Sequence, residues 1–189
     1  QFINDFSDVL LFVSHAVKKP FLEMNLGQNS LVTHRSFNLS QILKDSALPL
    51  PPHLEAIFAP HHSTILSAGT ITPGKGQLDL IQAGQILKAQ GRNYKLIFIG
   101  HIYDIKYTKK LEHEVKISGQ EENVIFLGWQ SQAYALMSRA SIYVTCARNE
   151  GFGRSLVEAT LLNKPVIATR AGGHLEILDS NSEKSFYEL

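Results

Sequence analysis

Glu150 and Glu158 stand eight positions apart on either side of a turn, Gly151-Phe152-Gly153, that carries two glycines. Ahead of it, Ser141-Ile142-Tyr143-Val144-Thr145 is β-branched and aromatic, the composition of a buried strand. Behind it, Ser155 to Leu162 has apolar-rich helical spacing that stops at Asn163-Lys164-Pro165. Glycines in such a turn let backbone approach a ligand closely, and the helix behind opens with unpaired N–H groups at the positive end of its dipole, which suits a phosphate. The two carboxylates cannot form a metal pair on one helix face, because the turn separates them and only Glu158 is helical. As acceptor-only groups they suit hydroxyls, one set on a ribose and another on a sugar. Taken singly, Glu158 reads equally well as a surface helix residue and Glu150 as a loop carboxylate near a helix dipole.

A second turn, Gly69-Thr70-Ile71-Thr72-Pro73-Gly74-Lys75-Gly76, sets Lys75 between glycines at a helix start, where it can cap a diphosphate from the side opposite Arg154. It is not a P-loop, since Gly76 occupies the position that requires Ser or Thr. A third turn, Ala171-Gly172-Gly173-His174-Leu175-Glu176, places Glu176 in a first helical turn and reads either as a further lining of the same cleft or as a plain turn, with His174 expected as a surface imidazole. His61 and His62 are read as extended neighbours pointing to opposite faces, and no metal site is assigned. Cys146 is expected to pack in the core, and Trp129 either to stack on a base or to close the core. Backbone near Gly128 is the better candidate for base contacts.

These turns need a scaffold that brings strand ends together. Strand patterns run over Thr64–Ala68, Lys95–Ile99, Val124–Leu127, Ser141–Val144 and Pro165–Ala168, with an amphipathic helix over Gln77–Gln90. Strand alternating with helix predicts an α/β fold, a Rossmann-like doubly wound parallel sheet whose ligand lies beyond the carboxyl ends of the strands. Upstream, Val9–Val13 and Ser30–Thr33 read as strands with a helical stretch between them. Residues 38–63, with Pro49, Pro51, Pro52 and Pro60, read as a linker with one helical turn. The expected division is 1–37, 38–63 and 64–189.

Composition narrows the function classes. With 189 residues, 44% hydrophobic, the chain can bury one ordinary core, or one domain plus part of another. Eighteen Lys+Arg against 17 Asp+Glu leave a net charge of +1, so no overall field draws nucleic acid, and any anion must be held locally. One cysteine excludes an internal disulfide and fits a reducing cytoplasm, and no run approaches the ~20 apolar residues of a bilayer span. A start at Gln1 and a stop at Leu189 soon after a new helix begins suggest part of something longer.

In order, Ser67-Ala68-Gly69 with Lys75-Gly76, Lys95 to Gly100, Val124 to Gly128, Glu150-Gly151-Phe152-Gly153 with Glu158-Ala159, Lys164 to Thr169, and Gly172-Gly173 with Glu176 resemble the group 1 retaining glycosyltransferases of the GT-B fold, over residues 64 to 178. The resemblance implies that 64–189 is the C-terminal, donor-binding half and 1–37 a remnant of the acceptor-side domain. It implies that Glu150 contacts donor-sugar hydroxyls near the reacting carbon, with Gly151, Phe152 and Gly153 lining the sugar. Arg154 and Ser155 would offer backbone N–H groups to the diphosphate, Lys75 would neutralise the leaving phosphate, Glu158 would bind the ribose, and Gly69, Thr70 and Gly128 would complete the donor site. The implied reaction is hexosyl transfer from a UDP or GDP sugar with retention and with no cofactor or metal. The acceptor is a carbohydrate, a lipid-linked sugar or another group, and the enzyme is cytoplasmic, with peripheral association at the inner face of the membrane through its N-terminal half. Thr70 stands where many members carry arginine, which leaves the diphosphate to Arg154 or to a residue of the N-terminal half. His101-Ile102-Tyr103 replaces a glycine and proline, and no glycine-containing strand and closing helix is expected after Glu176. Within the same fold, a non-catalytic nucleotide-sugar-binding or interaction module and a nucleotide-sugar isomerase are the competing readings.

Overall fold

The computed structural model describes residues 9–178 and the backbone of 185–187. Helix α1 (His15–Glu23) lies between strands β1 (Leu10–Phe12) and β2 (Ser30–Val32), which form a small parallel pair. Helices α2 (Leu39–Ser46) and α3 (Pro52–Glu55) follow, then a 3₁₀ turn over Ala56–Phe58. From there strands and helices alternate: β3 (Ser63–Ala68), α4 (Gln77–Ala89), β4 (Tyr94–Ile99), α5 (Ile105–Ile117), β5 (Val124–Gly128), α6 (Ala133–Arg139), β6 (Ile142–Thr145), α7 (Arg154–Leu161), β7 (Val166–Thr169), α8 (Gly173–Leu178) and β8 (Ser185–Tyr187).

Strands β3 to β8 form one six-stranded sheet in the order β5-β4-β3-β6-β7-β8, with every pairing parallel. The order reverses between β3 and β6, so the loops leaving these neighbours diverge to opposite faces and open a crevice at their carboxyl ends. The period of two along each strand supplies both faces. Leu96 and Phe98 pack against α4 and α5, whereas Ile97 and Ile99 join Leu136 of α6 and Leu156 of α7 on the other side. Each fully buried Leu or Ile of this kind contributes about 1.5–3 kcal/mol of burial free energy. The doubly wound parallel sheet is therefore the architecture expected of the sequence.

One expectation is corrected. Residues 38–63 are more than a linker with a single turn: Asn38 caps α2, Pro52 occupies the first turn of α3, where its missing N–H costs nothing, and Leu50 and Leu54 are buried in the core beside α6. The segment is also held by Arg139 to Glu55 and by Ser138 to the Ser46 carbonyl. After Glu176 comes β8, which pairs in parallel with β7 through Ala168 and Phe186 and contains no glycine. Among the described residues, no helix is long and apolar enough to cross a membrane.

Candidate functional site

The turns after β3 and β6 face each other across a cleft of about 590 Å³, within the range of small-molecule sites. Ten of the residues that the resemblance assigns to the donor site line it: Gly69, Thr70, Lys75, Glu150, Gly151, Phe152, Gly153, Arg154, Ser155 and Glu158. Gly128 does not line it, although its neighbours Trp129 and Gln130 do. Its left-handed φ of 67° ends β5 and turns the chain so that these side chains reach the rim.

Glycine is required where the turns are tightest. Gly76, at φ 65°, lies so close to the Cys146 carbonyl that any Cβ would collide with it, and this contact ties the lysine turn to the end of β6. A Cβ on Gly173 would stand 2.6 Å from Phe152 Cα, so the start of α8 lies directly under the glycine turn. The short turn Pro73–Lys75 then aims Lys75 across the cleft, where its Nζ donates to Glu150 Oε2 at 2.6 Å. Both side chains are largely enclosed, at 32% and 16% exposure, so their attraction is less screened than that of a surface pair.

Helix α7 begins at Arg154 behind Gly153, φ 92°, which as N-cap offers no side-chain cap. Its first N–H groups are thus available to a ligand in the cleft they border. One turn along, Glu158 is held on the cleft side: its Oε1 accepts from the Tyr134 hydroxyl at 3.1 Å and from Arg154 at 3.4 Å, and the side chain is only 13% exposed. That excludes the plain surface-helix reading of Glu158. Behind it, the buried Tyr143 hydroxyl donates to Ser155 Oγ at 2.7 Å, and burial pushes the phenol pKa far up, so it stays a neutral donor.

His174 is corrected from a surface imidazole to a core residue at 1% exposure. Its Nδ1 lies 3.1 Å from the Thr169 carbonyl oxygen, which can only accept, so the proton of the neutral ring sits on Nδ1. Nε2 then faces Glu150 Oε2 at 4.0 Å. Burial chiefly lowers the His174 pKa, which favours the neutral ring beneath the Lys75–Glu150 pair. Cys146 is buried as expected, and Trp129 is 61% exposed, which excludes its closing the core; it stacks instead with His101 at 6.0 Å. His61 and His62 sit in the turn before β3 with rings 4.7 Å apart, rather than on opposite faces of a strand.

Glu176 does not face the cleft. Its carboxylate accepts from the backbone N–H groups of Ala16 (2.8 Å) and His15 (3.1 Å), capping α1, and its Oε2 lies 3.3 Å from His34 Nε2. Burial alone would raise its pKa, but these hydrogen bonds outweigh that and lower it. His15, His34 and Glu176 form a group of three metal-type donors. The carboxylate is already committed to helix N–H groups, so the group reads as a cap with an attached histidine.

Several residues at the cleft carried no motif. Ser14 hydrogen-bonds the Gly151 carbonyl, His34 and Phe37 stack on Phe152 at 5.4 and 6.3 Å, and Arg35 lines the cleft. Gln77 Nε2 donates to the Thr70 carbonyl at 2.8 Å and fixes that turn. The first four belong to residues 9–37, so the small N-terminal unit supplies one wall of the cleft.

A parallel, doubly wound sheet with an anion-suited cleft at its switch point is the class of structure this site defines. The sequence profile of the family described as "Glycosyl transferases group 1" matches residues 57–188, and the chain belongs to that family. It is similar to an uncharacterized glycosyltransferase of Methanocaldococcus jannaschii, 32% identical over 91% of this chain and 43% of that one. It is also similar to the capsular polysaccharide biosynthesis glycosyltransferase CapM of Staphylococcus aureus, 25% identical over 94% of this chain and 47% of that one. The chain thus spans less than half the length of these relatives. Among solved structures, Anabaena HepE in complex with UDP and glucose superposes with a TM-score of 0.86 at 23% identity, over 98% of this chain and 50% of that one. The shared architecture is half of a GT-B fold.

Proposed function

We propose that this chain is the donor-binding part of a retaining glycosyltransferase, holding a UDP or GDP sugar whose hexosyl group the whole protein transfers to a carbohydrate, lipid-linked or other acceptor. The observation that carries the reading is the meeting of the Lys75–Glu150 pair with the uncapped start of α7 in one switch-point cleft. In transfer, the bond from the anomeric carbon to the β-phosphate oxygen breaks and its electron pair goes to the phosphate. Lys75 and the first N–H groups of α7 stabilise that charge, and such preorganised donors are worth about 3–4 kcal/mol each. Glu150 orients Lys75 and accepts from sugar hydroxyls, while Glu158, steadied by Tyr134, accepts from the ribose. No step calls for a metal or cofactor. HepE was crystallised with UDP and glucose and CapM is named for capsular polysaccharide biosynthesis, which supports a nucleotide-sugar donor and a glycan-type acceptor. The proposal includes a cytoplasmic protein that associates peripherally with the inner face of the membrane through its N-terminal half.

A non-catalytic binding module of the same fold is the second reading, favoured by the neutral Thr70 and by the pairing of Lys75 and Arg154 with glutamates. Calorimetric titration with a panel of nucleotides tests the donor site: UDP or GDP binds the folded chain. Absence of binding by every nucleotide overturns both readings, whereas binding without transfer by the whole protein selects the module.

A further inference from the structure

Three cations and two carboxylates line the cleft: Lys75, Arg154 and Arg35 against Glu150 and Glu158. Lys75 is paired with Glu150 at 2.6 Å, and Arg154 with Glu158 at 3.4 Å. Among the described residues, Arg35 has no such partner. Without it the formal charges of the lining cancel, so any surplus positive charge for an anionic ligand comes from this side chain.

Its position is held from both sides. His34 stacks on Phe152 at 5.4 Å and reaches Glu176 at 3.3 Å, while Phe37 stacks on Phe152 at 6.3 Å and lies under the Arg154 guanidinium at 5.7 Å. Phe152 belongs to the glycine turn between Glu150 and the start of α7. The stretch 34–37 is therefore fastened to the part of the cleft where the donor reading puts a diphosphate. A guanidinium there presents a planar fork that fits two phosphate oxygens, which an ammonium does not.

We propose that Arg35, from the loop after β2, binds the diphosphate of the donor, and that the N-terminal unit thereby contributes a substrate-contacting residue to the site formed by the sheet. The proposal rests on the donor reading. It lies outside the matched residues 57–188, so the family profile assigns nothing to it.

The test compares UDP with uridine, the latter followed by NMR titration, on the wild-type chain, Arg35→Ala, Arg35→Lys, and Arg92→Ala as a charge-matched control at the opposite, amino-terminal edge of the sheet. UDP affinity falls about tenfold or more in Arg35→Ala, as for loss of one charge-assisted hydrogen bond. It is partly retained in Arg35→Lys and is unchanged in Arg92→Ala, while uridine affinity is the same in all four proteins. Equal UDP affinity in wild type and Arg35→Ala overturns the proposal and leaves the donor site standing. An equal loss for uridine and UDP also overturns it, because the residue then acts through the fold. No UDP or GDP binding by wild type overturns the donor reading and this proposal together.

Discussion

The cleft has two kinds of wall. One consists of the turns after β3 and β6, where strand ends fix Lys75, Glu150 and the start of α7 through backbone contacts as tight as that of Gly76 with Cys146. The other is the loop 34–37, which sits on no sheet edge and is held by rings stacked on Phe152. Backbone contacts of the first kind tolerate almost no change, whereas aromatic pairs are worth only about 0.5–1.5 kcal/mol each beyond their buried area. In the proposed function the first wall sets the geometry of the transfer. The second can yield without unfolding the sheet, so it is the place for charge that a ligand must gather.

The largest effect is expected on the rigid wall. Lys75→Ala, in a protein carrying both halves of the fold, lowers kcat about 100- to 1000-fold by steady-state kinetics, as for loss of a preorganised donor at a leaving group. Glu158→Ala raises the Kd for UDP or GDP about 10- to 100-fold by calorimetry, for the loss of hydrogen bonds to a charged acceptor worth about 1.5–3 kcal/mol. Gly173→Ala forces Phe152 to move and costs about 1–3 kcal/mol by overpacking, read as a fall in Tm of about 2–4 °C per kcal/mol. Phe152→Ala should leave Tm nearly unchanged but weaken UDP binding by less than Arg35→Ala does, since it loosens the loop without removing the charge.

A smaller effect comes from pH. The folded His174 binds its proton less readily than the unfolded residue, whose pKa is 6.5. Its contribution to stability is thus complete above about pH 6.5 and declines as pH falls toward the lowered folded value. Chemical denaturation at a series of pH values should show a slope in that window which His174→Gln removes.

The rigid wall was legible in the sequence because strands and glycine turns leave local marks: β-branched runs at β4 and β6, paired glycines, and a lysine among them. The yielding wall was not. His34 and Phe37 meet Phe152 across more than a hundred positions, Arg35 between them reaches the same cleft, and nothing in their spacing announces it. Prolines at 49, 51 and 52 suggested a linker, yet Pro52 begins a helix, where proline is at home. His174 looked superficial because it follows two glycines; those glycines let α8 pack so closely under Phe152 that the imidazole is enclosed.

The central claim is that a nucleotide diphosphate lies between these two walls, and amide NMR of the chain titrated with UDP tests it most directly. The account predicts that the largest shifts fall on Gly69, Thr70, Lys75, Gly153, Arg154 and Ser155, with Arg35 moving alongside them. Saturable shifts confined to the separate hollow around Tyr107, Lys110 and Arg148, with the switch-point turns unchanged, would contradict it.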